Sequence, residues 1–197
     1  IVANPPFVVG LPEVGHVYRD SGLNLDAASE LVISQAAEHL NPGGTAHLLA
    51  AWVHRGEETW QQRVASWLPA TGVAAWVIER DVVDPAHYVS TWLEDESIDV
   101  RSPEGIQRSR QWLEHFRDHG VTGIGFGFVA IQHIGDDEPS DILAETMAQP
   151  HIEPLGPEVE EYFARVAWLR GLVPGELEST HVQVRPGVAR EDVGLAD

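Results

Sequence analysis

Short apolar segments that alternate with amphipathic segments restrict the fold of this chain more than any other feature. Residues 45–53 and 74–79 are apolar runs bounded by glycine, proline or charge, which is typical of buried parallel strands. Residues 26–40 and 57–68 lie before and between them and carry apolar side chains at helical spacing. This alternation of strand and helix predicts an α/β fold around a mainly parallel sheet.

The same alternation extends toward both ends of the chain. Residues 1–3 are predicted to be the end of a buried strand, and residues 121–134 a glycine-rich strand. Two further helices, at residues 85–93 and 107–119, are predicted between the third and fourth strands. Asp26 is a predicted helix N-cap, because a side-chain oxygen at that position can accept from a first-turn amide.

The composition changes after residue 138, which sets a predicted domain boundary there. Residues 139–197 form a small α+β extension, for which we consider substrate docking as a role. Within it, Ser140 is predicted to cap a short helix, residues 157–169 to form a second helix, and residues 180–185 an exposed strand.

Net charge and cysteine content exclude several classes of function. The chain has 12 basic and 31 acidic residues, a formal net charge of −19, and no cysteine. The charge argues against a broad electrostatic grip on nucleic acid, and the missing cysteine excludes disulfides, thiolate-held metals and a cysteine nucleophile. We expect a cytoplasmic protein, since a chain without cysteine suits a reducing compartment. We expect no membrane partner, since no apolar run approaches the roughly 18 residues that span a membrane.

The segment Asn4-Pro5-Pro6-Phe7 follows the first predicted strand, where α/β sheets place functional loops. A planar NH2 group is a poor nucleophile, and two hydrogen-bond acceptors can orient it. The Asn4 side-chain oxygen and the Pro5 carbonyl are candidate acceptors, because the prolines stiffen the loop and Pro6 has no N–H to give to a strand. Phe7 offers a flat face for stacking.

These four residues resemble the (Asn/Asp/Ser)-Pro-Pro-(Tyr/Phe/Trp) motif of class I S-adenosylmethionine-dependent methyltransferases that act on planar nitrogens. The residues from Tyr18 to Leu23 and the Pro42-Gly43-Gly44 turn resemble the corresponding parts of release-factor glutamine N5-methyltransferases.

The resemblance implies a Rossmann-like seven-stranded sheet, of which the four predicted strands are strands four to seven and the last runs antiparallel. Residues 1–138 would then be the carboxyl-terminal half of the catalytic domain. S-adenosylmethionine is the implied cofactor. Asn4, Pro5, Pro6 and Phe7 are the implied catalytic residues, with Asn4 also touching the cofactor.

The resemblance further implies that Tyr18, Arg19 and Asp20 bind substrate and that no metal takes part. The glycine-rich cofactor loop and the ribose-binding acid of the family have no counterpart in this sequence. The chain also opens with Ile1-Val2-Ala3, inside an apolar strand. We therefore expect the carboxyl-terminal part of a longer enzyme, inactive by itself.

Several alternatives stay open. The favoured acceptor is a protein glutamine or a small molecule, and the alternative is an adenine or guanine amino group in RNA or DNA. A non-catalytic scaffold that retains the fold is a further alternative. An exposed sheet edge beside residues 1–3 would offer a route to a homodimer.

Two other patterns receive structural interpretations. The glycines Gly123, Gly125 and Gly127 resemble a dinucleotide-binding loop, but they follow a helix and continue into apolar sequence, so a glycine-rich strand is predicted. His115 and His119 lie four residues apart on one helix face, and no third metal ligand is identifiable.

Overall fold

The computed structural model describes residues 1–15, 20–147 and 154–184, which form a five-stranded mixed sheet with helices on both faces. The strands are β1 (Val2–Ala3), β2 (Thr45–Arg55), β3 (Thr71–Val83), β4 (Val121–Pro139) and β5 (Asp141–Thr146). The helices are α1 (Ala27–Glu38), α2 (Trp60–Ala65), α3 (Pro85–Asp95), α4 (Pro103–Asp118), α5 (Gly156–Gly171) and α6 (Glu176–Ser179).

The strand order is β1-β2-β4-β3-β5. β1 pairs parallel to β2 and β5 parallel to β3, while β4 lies between β2 and β3 and runs antiparallel to both. The carboxyl ends of β1, β2, β3 and β5 therefore meet at one edge of the sheet. The predicted α/β class is confirmed, and the glycine-rich strand is the antiparallel member.

Alternate residues of β2 belong to two separate cores. Leu48 and Trp52 face α1 and α2, whereas Ala51 and Val53 face α3 and α4. A third apolar cluster packs α5 against β3 and β4 on the same face as α3 and α4; its buried members are Ala74, Ala130, Val159, Tyr162, Phe163 and Val166. Burial on both faces explains why β2 is a nearly continuous apolar run.

Two predictions in the carboxyl-terminal extension are wrong. Residues 141–146 form strand β5 rather than a helix capped by Ser140, because Ile142 and Ala144 alternate into the core and the Ser140 hydroxyl accepts from the Val73 amide. Residues 180–184, the described part of the predicted exposed strand, pair with no strand. Alternation by itself does not make a strand when the segment has no partner strand to pair with.

The extension shares the sheet with the rest of the chain. β5 and α5, which lie within residues 139–197, pack on β3 and β4. The domain boundary near residue 138 stays a prediction.

The glycines of β4 make room for a large side chain, which confirms the prediction of a glycine-rich strand. Trp52 is fully buried and stacks on Trp60 with ring centroids 5.3 Å apart. A β-carbon on Gly127 would overlap the Ile78 carbonyl oxygen and lie 2.8 Å from the Trp52 ring. Glycine is therefore required by this close approach rather than by a ligand.

We predict that Gly127→Ala lowers the free energy of unfolding by about 2–3 kcal/mol, because backbone and a fixed ring must move to admit the methyl group. Gly123→Ala is the matched control, since its nearest neighbour is a methyl group of exposed Val82 at 3.2 Å. That variant should stay within about 1 kcal/mol of wild type in urea unfolding. Equal losses in the two variants would show that the Trp52 packing is not the reason for the glycine.

Candidate functional site

The Asn4-Pro5-Pro6-Phe7 segment leaves the sheet at the carboxyl end of β1. Ala3 pairs with Leu48, and the ladder stops there because neither proline has an N–H to donate. Asn4 and Pro6 are exposed, while Pro5 and Phe7 are partly buried. The segment thus presents polar groups to solvent at the edge of the sheet where α/β proteins bind ligands.

The chain directly behind the motif is held tightly. Val8 and Val9 are buried, and the Val9 amide donates to the hydroxyl of Tyr88 on α3 over 2.8 Å. One residue further, the Leu25 amide donates to the Gly10 carbonyl over 2.8 Å and closes the following loop at its base. The motif is therefore held on one side by the pairing of β1 with β2 and on the other by the hydrogen bond from Val9 to Tyr88 of α3.

An apolar cavity of about 340 Å³ opens beside Asn4. It lies on the face of the sheet that carries α5, and Leu49, Ile78 and Phe128 are among its walls. Within the described ranges, its lining contains no Asp, Glu or Arg side chain, and His47 is its one titratable side chain. A carboxamide at the mouth of a mainly apolar cavity can orient a planar polar group while its apolar body stays out of water.

The three predicted substrate-binding residues are only partly placed. Tyr18 and Arg19 lie outside the described residues. Asp20 accepts from the Gly15 amide over 2.9 Å and lines a separate cavity of about 120 Å³ next to Trp112 on α4. Asp20 and Asn4 therefore line different cavities within the described part of the chain.

Asp26 holds the N-cap position of α1, but the capping role predicted for its side chain is wrong. Within the described part of the chain, the carboxylate accepts from the Val53 amide (2.9 Å) and from Nε and Nη2 of Arg63 (both 2.7 Å), with no bond to the first turn of α1. Because β1 has already ended, the edge amides of Ala51 and Val53 need other partners. The Ser29 hydroxyl serves Ala51 at 3.1 Å, and Asp26 serves Val53.

The Asp26–Arg63 pair anchors the far end of the loop that follows the motif. The Asp26 side chain is 1% exposed and that of Arg63 15% exposed. Hydrogen bonding to Asp26 raises the pKa of Arg63 above its ordinary value against an opposing effect of burial, so the guanidinium stays charged. No sequence pattern indicates this pair, because 37 positions separate its members.

We predict that Asp26→Asn costs about 3 kcal/mol or more in the free energy of unfolding, because it leaves Arg63 partly buried beside a neutral partner. Asp118→Asn is the control: its ion pair with Arg117 is exposed on both sides, and an exposed pair contributes about 0–1 kcal/mol. Urea denaturation of both variants measures the difference. A loss of under 1 kcal/mol for Asp26→Asn would contradict the anchoring role.

A buried carboxylate toward the carboxyl end of β3 is a second feature that the sequence does not predict. Glu79 is 2% exposed and accepts from Nε1 of Trp52 at 2.8 Å, and its oxygens lie 2.6 Å from Nε2 of His54 and 3.3 Å from the Thr146 hydroxyl. These contacts connect β2, β3 and β5 across β4, where Gly125 leaves space for them. Buried polar groups of this kind rigidify a structure when each has a partner.

The histidine pair on α4 is engaged in local contacts. Nε2 of His115 lies 2.7 Å from the Asn24 side-chain oxygen, and the rings of His115 and His119 are 4.3 Å apart. Burial, followed by the charge of His119, lowers the pKa of His115, and Asp118 opposes that shift. In the described ranges, no group of three acidic or histidine side chains is arranged to hold a metal ion.

The lowered pKa of His115 predicts a loss of stability in acid. Between its ordinary value of 6.5 and the lower folded value, the unfolded chain binds more protons at this position, so stability falls as the pH falls through that range. We expect His115→Gln to lose less stability than wild type between about pH 7.5 and about pH 5.5 in urea denaturation.

His87→Gln, at an exposed position of α3, is the matched control and should follow wild type. Parallel stability profiles for His115→Gln and wild type would contradict the assigned effect of burial.

No model of a known protein family matches this chain, and no curated protein matches its sequence. The part of the chain that the structure describes contains no helix long and apolar enough to cross a membrane. The motif and its surroundings are therefore the observations that bear on function.

Proposed function

We propose that this chain carries the methyl-acceptor side of an S-adenosylmethionine-dependent N-methyltransferase. The observation behind the proposal is the position of Asn4-Pro5-Pro6-Phe7. The motif directly follows a parallel strand, its asparagine is exposed at the mouth of a mainly apolar cavity, and the chain just behind it is fixed by a buried hydrogen bond. The antiparallel β4 agrees with the strand direction that the resemblance implies.

In the proposed reaction, the motif orients a planar NH2 group. The Asn4 side-chain oxygen and the Pro5 carbonyl accept its two hydrogens, and Phe7 packs against its plane. This arrangement directs the nitrogen lone pair away from the loop and toward the methyl donor, and fixed polar groups of this kind lower barriers. The acceptor nitrogen gains the methyl group and releases one proton to solvent.

S-adenosylmethionine would supply an electrophilic methyl group, and breaking its methyl–sulfur bond would leave a neutral thioether. The residues present fit part of this cofactor: Asn4 offers a polar contact, and the described lining of the cavity contains no Arg side chain that would repel a sulfonium. Residues to hold the ribose and the amino-acid end are not recognisable in the sequence. The proposal therefore assigns cofactor binding mainly to a longer protein that includes this chain.

The acceptor is proposed to be a protein glutamine or a neutral small molecule rather than a nucleic acid. The net charge of −19 and the absence of Arg from the described lining of the cavity beside Asn4 both disfavour a phosphate backbone. Tyr18, Arg19 and Asp20 remain proposed contacts to the acceptor.

For assembly and location we propose what the sequence predicts. β1 has no strand on its outer side within the described ranges, and Val2 is 86% exposed. For the 197-residue chain by itself, pairing of a second copy at this edge is the proposed route to a homodimer, since in the longer protein the preceding strands of the sheet would lie there. The proposed location is the cytoplasm.

We predict that Asn4→Ala in the longer enzyme reduces methyl transfer by about 100-fold or more, because one of two orienting groups is removed. The assay follows tritiated methyl groups from S-adenosylmethionine into the separated protein, RNA and small-molecule fractions of a host-cell extract. Label in the protein or small-molecule fraction supports the proposed acceptor class, and label in RNA transfers the proposal to the nucleic-acid alternative.

The control is Asn41→Ala, which makes the same exchange at an exposed position in the turn before β2. It lies at the opposite end of the sheet and should retain full activity. Equal activity of Asn4→Ala and wild type, or no transfer by wild type to any fraction, would overturn the proposed function.

A further inference from the structure

Tyr88 is a fully buried side chain whose hydroxyl is committed to the backbone behind the motif. The residue is 2% exposed, and its hydroxyl oxygen accepts from the Val9 amide over 2.8 Å. Val9 follows Phe7 by two positions, so this hydrogen bond holds the first buried turn of chain after the motif. An amide in a buried position that loses its acceptor is costly, which makes the contact a strong restraint on the backbone.

The ring of Tyr88 is itself fixed by four aromatic neighbours. Trp92, Trp112, Phe116 and Phe126 surround it, with ring centroids between 5.9 and 6.3 Å from its own. Two of them come from α4 and one from β4, so the hydroxyl cannot shift without repacking the core between α3, α4 and the sheet. Its position is set by the fold and not by the loop that it holds.

The other end of the motif is tied down independently. Ala3 pairs with Leu48 of β2, and Ala3 also packs against the core beneath α1. Five residues therefore separate a strand pairing from the Tyr88 hydrogen bond, and two of these five are prolines with restricted backbone. A short, stiff segment fixed at both ends has few conformations available, so release of one end changes the placement of its exposed groups.

We infer that Tyr88 is a positioning residue, which sets the placement of the Asn4 side chain and the Pro5 carbonyl through the Val9 amide. The inference rests on the proposed function, because it assigns Tyr88 to that same site. Tyr88 would act on the orientation of the acceptor nitrogen. Loss of its hydroxyl should therefore lower the rate of methyl transfer rather than the affinity for the methyl donor.

The test is Tyr88→Phe, which keeps the ring and removes the hydroxyl. In the longer enzyme we expect kcat to fall by roughly 10-fold while the KM for S-adenosylmethionine changes by less than about 2-fold, since orientation and not uniform binding is lost. In amide hydrogen exchange of the 197-residue chain, the Val9 amide should exchange faster than in wild type, and the Asn4 side-chain NH2 resonances should shift.

Tyr162→Phe is the matched control. Its hydroxyl donates to the Ala75 carbonyl over 3.1 Å in the separate core beneath α5, so the exchange removes a comparable buried hydrogen bond away from the motif. Loss of kcat in Tyr88→Phe alone, at similar melting temperatures of the two variants, supports the positioning role. Equal losses of kcat in both variants would make the effect one of general stability and overturn the inference.

Two further outcomes separate this inference from the proposed function. Faster exchange of the Val9 amide with unchanged kcat in an active enzyme overturns the inference and leaves the function intact. If the wild-type enzyme transfers no methyl group, the proposed function is overturned, and the Asn4 side-chain resonances then test whether Tyr88 sets the placement of Asn4. A shift of these resonances in Tyr88→Phe but not in Tyr162→Phe supports the positioning role, and unchanged resonances overturn it.

Discussion

β1 ends after two residue pairs with β2, because Pro5 and Pro6 cannot donate to a strand ladder. β2 continues to Arg55, so its edge amides beyond Leu48 lie next to no strand in the described part of the chain. An unpaired buried amide is costly, and the structure supplies side chains in place of a strand. The early end of β1 therefore determines both where the motif leaves the sheet and what must fill the space beside β2.

Side chains from α1 and α2 fill the space beside β2 and satisfy its unpaired amides. Ser29 and Asp26, at the start of α1, accept from the Ala51 and Val53 amides, and Arg63 of α2 neutralises the Asp26 carboxylate. On the opposite side of the loop, Tyr88 accepts from Val9. The exposed motif is thus surrounded by buried hydrogen bonds, which is how a fold keeps a short polar loop in one conformation.

Much of this architecture is readable from the sequence because it follows local periodicity. The apolar runs at β2 and β3 and the helical stripes of α1 and α4 depend on residues close together in the chain. β5 is an exception: the sequence predicts a helix there, and the prediction is wrong because a six-residue segment is too short for periodicity to distinguish a helix from a strand.

The candidate site likewise contains features that the sequence predicts and features that it does not. The motif is contiguous and was identified directly, whereas the Asp26–Arg63 pair and the Tyr88–Val9 bond join residues that are 37 and 79 positions apart. No spacing rule relates such pairs, since the fold alone brings them together. Asp26 shows the limit most clearly: its place before a helix indicates a cap, and its carboxylate is used by β2 instead.

We propose that this chain holds the acceptor side of a methyl-transfer site and little of the cofactor side. The decisive measurement is calorimetric titration of S-adenosylmethionine into the 197-residue chain and, in parallel, into a longer protein that contains it. We expect binding near one cofactor per longer protein and no measurable heat from the shorter chain. Binding by the shorter chain would contradict the division of the site, and binding by neither would contradict methyl transfer itself.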